Sequence, residues 1–292
     1  AVGILSAAVM PDIPGVGSFK GISYHTHKWP QSEVDLTGKK VGIIGTGATA
    51  VQIIPEIAKI VGNLTVFQRT PNWCTPLHNK KIPKDRMEQI KQNYDEILEL
   101  CTQTPGCYIH STDPRSTFEV TEEERIAFWE KLYAEPGFGI WQGNFRDMLT
   151  DRTANAMMSD FLAEKIRGRV NDPILAEKLI PKDHGFGTRR VPQETFYYET
   201  YNKDNVHLVD IKNDPIIEID ENQHTDYNCS CENKRIMELS LDVGHIPIVF
   251  IRFNPDMYFK QKTKIFFDNE LSDDDCGQST AASDSKKNSK KE

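Results

Sequence analysis

The sequence contains no long hydrophobic run, no excess of positive charge and few cysteines. No apolar run approaches the roughly 18 residues that a membrane helix needs. The apolar start AVGILSAAVM lacks a basic region and a clean cleavage site, so we expect no signal peptide. The formal net charge of −8 gives no general attraction to nucleic acid. Six irregularly spaced cysteines favour reduced thiols over a disulfide framework. These features predict a cytoplasmic protein that has no membrane partner.

The chain also lacks an initiator methionine, since it begins at Ala1, and we therefore expect a fragment of a longer protein. Its 292 residues suit two domains, or one large domain with a tail. After Asp268 the sequence becomes acidic and then rich in Ser and Lys. This composition predicts a disordered tail over residues 269–292.

Metal-binding spacing is nearly absent. Cys229 and Cys231 are separated by one residue and His224 lies nearby, but the paired ligand spacing of a structural zinc site is missing. A metal site at these residues is therefore the less favoured interpretation, and we expect none.

A short β-branched run at residues 39–44 is followed by apolar residues at helical spacing in ATAVQIIPEIAKIV, and then by a second strand pattern at residues 64–68. Strand, glycine turn, helix and strand form a βαβ unit, which predicts a parallel sheet. DNVHLVD at 204–210 and IIEID at 216–220 predict further strands.

Three polar helices are predicted between these strands. Thr121 and Glu124 have the spacing of a capping box, and Asp151 or Thr153 could cap the third helix. The helices could form a lid or docking face, or only a packing insert. They are predicted at residues 84–101, 121–135 and 153–168.

The turn after the first strand has the pattern G-x-G-x-x-A of a dinucleotide-binding site. Gly45 permits a tight turn, Gly47 leaves room for a pyrophosphate beside the backbone, and Ala50 lets the helix lie close to the strand. The pyrophosphate would rest on the helix N-terminus, where N–H groups and the helix dipole favour an anion. The candidate binding residues are Gly45, Thr46, Gly47, Ala48, Thr49 and Ala50.

The residues after the second strand select the cofactor. An NAD site would place an acid there to accept from the ribose 2′-hydroxyl, whereas this chain has Arg69 followed by Thr70. A guanidinium beside a hydroxyl suits a 2′-phosphate, so the sequence favours NADPH. The alternative is that Arg69 is a solvated charge at the end of a strand.

Residues 19–30, FKGISYHTHKWP, fit the pattern F-x-G-x-x-x-H-x-x-x-W-P at Phe19, Gly21, His25, Trp29 and Pro30. This string resembles the fingerprint of Baeyer–Villiger monooxygenases, which are class B flavin-dependent monooxygenases. The resemblance implies FAD and NADPH as cofactors, and a ketone and O₂ as substrates. It also implies that His25 and Trp29 lie on a linker between the flavin and NADP domains, although both residues could equally be structural.

The segment LIPKDHGFGTRRVP, residues 179–192, resembles a second stretch of the same family. By this resemblance Arg189 would bind the 2′-phosphate together with Arg69. Arg190 would be the catalytic residue, stabilising the negative C4a-peroxide of FAD and its adduct with the ketone, as a fixed cation in an oxyanion hole does. Family members often carry Lys at the first of the two positions, and Arg189 keeps that charge.

The resemblance covers residues 1–216 and implies an α/β fold, a Rossmann-like NADP-binding domain with a parallel sheet and a helical insert. A second glycine motif for FAD is not found, so the FAD site is expected to be largely missing and the enzyme partial. The expected divisions are an edge of the FAD domain with the fingerprint linker (1–35), the first part of the NADP domain (36–80), the helical insert (81–170), the return to the NADP and FAD domains (171–216), a small unrelated α/β segment (217–268) and the tail.

Residues 217–268 resemble part of a restriction-endonuclease-like nuclease core. Glu218 and Asp220 stand at i and i+2, so both carboxylates would leave one face of a strand and could share Mg²⁺. Glu232 and Lys234 could add an acid and a cation. The alternative function is thus a Mg²⁺-dependent nuclease module, with nucleic acid as partner, fused to a Rossmann remnant. Solvated charges in a nonfunctional hybrid would give the same pattern.

Overall fold

The computed structural model describes residues 8–19, 21–104 and 106–219, together with the backbone of residues 263–265. Within these residues the chain forms short strands and α-helices, and one 3-10 helix at Thr26–Lys28. In chain order the elements are β1 (Lys40–Ile44), α1 (Ala48–Ile57), β2 (Asn63–Gln68), β3 (Thr75–Pro76), α2 (Lys84–Gln92), α3 (Tyr94–Gln103), α4 (Glu122–Ala134), α5 (Gly139–Gln142), α6 (Arg152–Arg167), α7 (Pro173–Leu179), β4 (Gln193–Glu194), α8 (Tyr197–Thr200), β5 (Val206–Asp210), β6 (Ile216–Ile219) and β7 (Thr263–Ile265).

The central element is a parallel sheet in the order β1-β2-β5. Ile43 pairs with Val66, and Val66 pairs with Leu208, so the three strands end at the same edge of the sheet. Alternate apolar side chains of the strands enter the main core, where they join Val51 and Ile54 of α1. The predicted α/β fold with a parallel sheet is confirmed. The described residues also form two small parallel pairs, β3 with β4 and β6 with β7.

A second apolar cluster forms where residues 13–19 meet the strand ends. Ile44 and Phe67 contribute from the sheet, and Ile219 contributes from β6. Gly15 has a φ of +82°, and a Cβ built there would lie 1.7 Å from the carbonyl oxygen of Ile219. Glycine is therefore required both by the backbone conformation and by the close approach of β6.

Two of the three predicted insert helices are confirmed as α4 and α6. Thr121 accepts from the backbone N–H of Glu124, whose side chain accepts from the backbone N–H of Thr121, which is the predicted capping box. Of the two candidate caps of α6, Asp151 is the one used, because its carboxylate accepts from the N–H groups of Thr153 and Ala154.

The single helix predicted over residues 84–101 is wrong, because α2 and α3 are separated at Asn93. The Asn93 side chain donates to the carbonyl of Gln89 at 3.1 Å, the same carbonyl that accepts from the Asn93 backbone N–H. Neither α2 nor α3 buries a residue. Tertiary packing therefore adds little that would hold one continuous helix together.

Several predictions concern residues outside the described part of the chain. The strand predicted at 216–220 is observed as β6 up to Ile219. Apart from the backbone of 263–265, residues 220–292 are not described, and they include the metal candidates His224, Cys229 and Cys231 and the predicted tail. In the part of the chain that is described, no helix is both long enough and apolar enough to cross a membrane.

Candidate functional site

The glycine turn lies at the edge where the parallel strands end. Gly45 follows β1 with a φ of +96°, and its N–H donates to the carbonyl of Phe67 in β2 at 2.8 Å. Gly47 is the N-cap of α1 with a φ of −75°, which any residue can adopt, so the backbone alone does not require glycine there. Because Gly47 has no side chain to cap the helix, the first N–H groups of α1 are available to a bound anion.

The other residues of the turn connect α1 to the end of β2. Thr46 is buried, and its hydroxyl donates to the carbonyl of Thr70 at 3.2 Å. Ala50 is fully buried in the main core, which allows the close packing of helix and sheet expected for a small residue there. Ala48 and Thr49 lie half-buried in the first turn of α1.

A cavity of about 500 Å³ opens beside the end of β2, and Arg69 lines it. Apolar surface comes from Pro71 and Ile174. Three lysines (Lys178, Lys182 and Lys212) and three acids (Glu177, Asp183 and Asp210) also line the cavity. The amide of Gln68 donates to the carbonyl of Lys178 at 2.7 Å, which fastens the end of β2 to α7. Because Glu177 pairs with Lys182 and with Arg167, part of its negative charge is neutralised within the wall.

The two arginines of the second predicted segment follow this wall. A guanidinium nitrogen of Arg189, Nη2, lies 3.3 Å from Oδ2 of Asp183, which lines the same cavity as Arg69. Arg190 is exposed, and its carbonyl accepts a hydrogen bond from the side-chain amide of Asn72 at 3.1 Å. Arg69 and Asp183 thus line one cavity, and Arg189 is linked to that cavity through its contact with Asp183.

The turn before the arginines is held by α6. Asn155 donates to the carbonyl of Phe186 at 2.8 Å, and the hydroxyl of Ser159 accepts from the N–H of Phe186 at 3.0 Å. A Cβ at Gly185 would lie 1.7 Å from Oδ1 of Asn155, and Gly187 has a φ of +76°. Asn155 and Ser159 were missed by the sequence analysis, although their i, i+4 spacing on a largely buried helix face was a usable signal.

The fingerprint residues occupy the segment that leads to β1. Phe19 packs on the second apolar cluster and Trp29 packs on the main core. The ring of Trp29 lies 5.4 Å from that of Tyr24. Nδ1 of His25 accepts from the N–H of His27 at 3.1 Å and so begins the 3-10 helix. The positions of Gly21 and Pro30 are half-buried.

The residues of the alternative metal site are only partly described. Glu218 lies on β6, whereas Asp220, Glu232 and Lys234 lie outside the described residues. Among the residues that are described, no group of three or more His, Cys, Asp or Glu side chains is arranged to hold a metal ion.

Comparison with known proteins gives a consistent result for most of the chain. It is 55% identical over 225 residues to 2-oxo-Delta(3)-4,5,5-trimethylcyclopentenylacetyl-CoA monooxygenase of Pseudomonas putida, covering 75% of this chain and 41% of that protein. It is 40% identical over 225 residues to a Baeyer–Villiger monooxygenase of Pseudooceanicola batsensis, covering 76% of this chain and 40% of that protein. No protein-family model matches the chain.

Solved structures agree with the sequence comparison. The crystal structure of OTEMO in complex with FAD and NADP matches with a TM-score of 0.78 and 47% identity, covering 87% of this chain and 46% of that one. About three quarters of the chain is thus homologous to part of the Baeyer–Villiger monooxygenases, and the chain spans less than half the length of these relatives. The nuclease interpretation of residues 217–268 receives no support from these matches.

Proposed function

We propose that this chain is the NADPH-binding part of a flavin-dependent Baeyer–Villiger-type monooxygenase. Its similarity to such enzymes supports the assignment, as does the strand, glycine turn and helix that precede the cationic cavity. The observation that carries the proposal is a cavity beside the end of β2 that is lined by Arg69 and Asp183, with Arg189 in contact with Asp183.

The chemistry of this region fits NADPH. The pyrophosphate would bind at the first turn of α1, where N–H groups and the helix dipole favour an anion. The 2′-phosphate would bind between Arg69 and Arg189, since guanidinium groups donate several hydrogen bonds to phosphate oxygens. The hydroxyl of Thr46 holds Thr70 in place behind Arg69.

We propose that FAD is held largely by sequence other than the described residues, which contain one glycine turn of this kind. The flavin, when bound, supplies the redox chemistry that activates O₂. Arg190 is the catalytic residue in this proposal: its exposed guanidinium would stabilise negative charge that develops during the reaction. The substrate would be a ketone, as the names of two relatives, cyclohexanone 1,2-monooxygenase of Acinetobacter sp and acetone monooxygenase of Gordonia sp., indicate for those enzymes.

Substitution of the two arginines tests the proposal. We expect Arg69→Ala and Arg189→Ala each to weaken NADP⁺ binding about 10- to 100-fold, the loss expected when a charge-assisted hydrogen bond is removed. The measurement is the NADP⁺ concentration that protects the chain from limited proteolysis, checked by calorimetric titration.

The matched control is Arg86→Ala, which removes an exposed arginine of α2. We expect it to leave NADP⁺ protection unchanged. Equal NADP⁺ affinity in the wild type and in both arginine variants would refute the assignment of the phosphate site.

A further inference from the structure

A continuous set of side-chain hydrogen bonds connects the two arginines through His184. The Asn72 amide nitrogen donates to the carbonyl of Arg190 at 3.1 Å, and the Asn72 amide oxygen lies 3.3 Å from Nε2 of His184. On the other side of the ring, Nδ1 lies 2.7 Å from Oδ1 of Asp183, whose Oδ2 is bonded by Arg189. One imidazole therefore lies between the partner of Arg189 and the partner of Arg190.

The hydrogen positions in this set are determined by its two ends. The carbonyl of Arg190 can only accept, so the amide of Asn72 must direct its nitrogen there and its oxygen towards His184. The carboxylate of Asp183 also accepts. Both ring nitrogens of His184 thus face acceptors, and both bonds form together only when each nitrogen carries a proton. A neutral ring would satisfy one of the two.

Burial and packing hold the ring in this place. The side chain of His184 is 7% exposed. Its own carbonyl accepts from the indole N–H of Trp73 at 2.9 Å, and Trp73 is buried in the main core. Rotation of the ring would therefore break two hydrogen bonds in a confined space.

The charge of His184 affects what the neighbouring cavity can bind. Asp183 lines the cavity that contains Arg69, and its carboxylate would repel a phosphate there. Burial alone would raise the pKa of Asp183, but the hydrogen bond and charge of His184, with the charge of Arg189, outweigh it and lower the pKa. The cation offsets the carboxylate. His184 also lines a second cavity, which it shares with five other charged side chains: Asp151, Arg152, Asp160, Arg167 and Lys182.

We propose that His184, in its doubly protonated form, is a positioning residue that holds the Arg189–Arg190 pair through Asp183 and Asn72 and neutralises Asp183 so that a 2′-phosphate can bind. This inference rests on the proposed NADPH site and adds a determinant of its selectivity for a phosphorylated ribose. In this proposal His184 does not itself contact the nucleotide.

The first test compares NADP⁺ with NAD⁺. We expect His184→Gln to weaken NADP⁺ binding about tenfold, as one lost charge-assisted interaction would, and to leave NAD⁺ binding unchanged. A purely structural role would weaken both ligands together. His27→Gln, which changes an exposed histidine, is the control and should alter neither affinity.

Removal of the carboxylate provides the second test. In the double variant Asp183→Asn with His184→Gln, the charge that His184 offsets is gone, while the bond between Asp183 and Arg189 is weakened. We therefore expect NADP⁺ affinity to recover part of the loss caused by His184→Gln. An affinity as low as that of His184→Gln alone would overturn the proposal.

Nitrogen NMR of the imidazole rings gives a readout that needs no ligand. Because both ring nitrogens of His184 face acceptors, we expect both to carry protons in the wild type, and one of these protons to be lost in Asp183→Asn. A neutral ring in the wild type would overturn the inference, even if His184→Gln failed to fold. If the wild type bound NADP⁺ and NAD⁺ equally well, the proposed function would fail; if only the His184→Gln ratio were unchanged, this inference alone would fail.

Discussion

Arg169 connects three polar side chains, of which Glu194 is buried. Its guanidinium bonds both carboxylate oxygens of Glu199 at 2.6 and 2.7 Å, Oε1 of Glu194 at 2.9 Å and the hydroxyl of Tyr133 at 3.1 Å. Glu194 is only 1% exposed, so its charge depends on this arginine for compensation. Glu194 also accepts from the N–H of Tyr197, and the arginine thereby stabilises the start of α8.

We expect Arg169→Met to lower the free energy of unfolding by about 3–5 kcal/mol, because it leaves a buried carboxylate without its cation. Urea denaturation followed by circular dichroism measures this change. Lys59→Met breaks an exposed ion pair with Glu56 and should cost at most about 1 kcal/mol. Equal effects of the two substitutions would contradict the role given to Arg169.

Local motifs predicted some residues of the site, and contacts distant in the sequence determined others. Gly45, Gly47 and Arg69 belong to one strand, turn, helix and strand unit. Their proximity can therefore be predicted from a short stretch of sequence. The pairing of His184 with Asn72 spans 112 residues, and that of Asn72 with Arg190 spans 118. No short pattern encodes such contacts, because the fold alone brings these residues together.

At the scale of elements, the two long insert helices are joined where they begin. Asp147 lies shortly before α6, and Ser116 and Thr117 lie shortly before α4. The carboxylate of Asp147 accepts from the hydroxyl of Ser116 at 2.5 Å and from the N–H and the hydroxyl of Thr117 at 2.9 and 2.7 Å. Burial alone would raise the pKa of Asp147, but these hydrogen bonds outweigh it and lower the pKa from 3.8. Cap residues made the helix starts predictable from the sequence, whereas this connection was not.

We expect Asp147→Asn to lower the free energy of unfolding by about 1.5–3 kcal/mol at neutral pH, the usual value of hydrogen bonds to a charged group. Since the folded pKa is depressed, the contribution is complete above pH 3.8 and is lost as the pH falls through the folded value. The difference between variant and wild type should therefore shrink in strong acid. Denaturation at several pH values measures it, with the exposed Asp204→Asn as control; a difference independent of pH would count against this origin.

At the scale of the whole molecule, the described residues contain one glycine turn of the dinucleotide-binding pattern, at the end of the first strand of the three-stranded parallel sheet. The short β-branched runs predicted strands, and the helix between the first two predicted a parallel sheet, because strand, turn, helix and strand form a βαβ unit. The attachment of residues 13–19 to β6 was not predictable, since it depends on packing between segments that are distant in the sequence. The match to the monooxygenase of Pseudomonas putida covers 75% of the chain.

We expect the purified chain to retain no flavin. The cationic surroundings of its glycine turn suit a 2′-phosphate, and FAD has none. Expression with added FAD followed by gel filtration and flavin absorbance measures retention, and addition of NADP⁺ should not change the result. Yellow protein with stoichiometric flavin would contradict the expected lack of a complete FAD site.

The central claim is that this cavity binds the 2′-phosphate of NADPH. Its most direct test is calorimetric titration of the unmodified chain with NADP⁺ and with NAD⁺, which differ only in that phosphate. Two guanidinium groups on one phosphate predict that NADP⁺ binds at least about 30-fold more tightly. Equal dissociation constants for the two nucleotides would contradict the account.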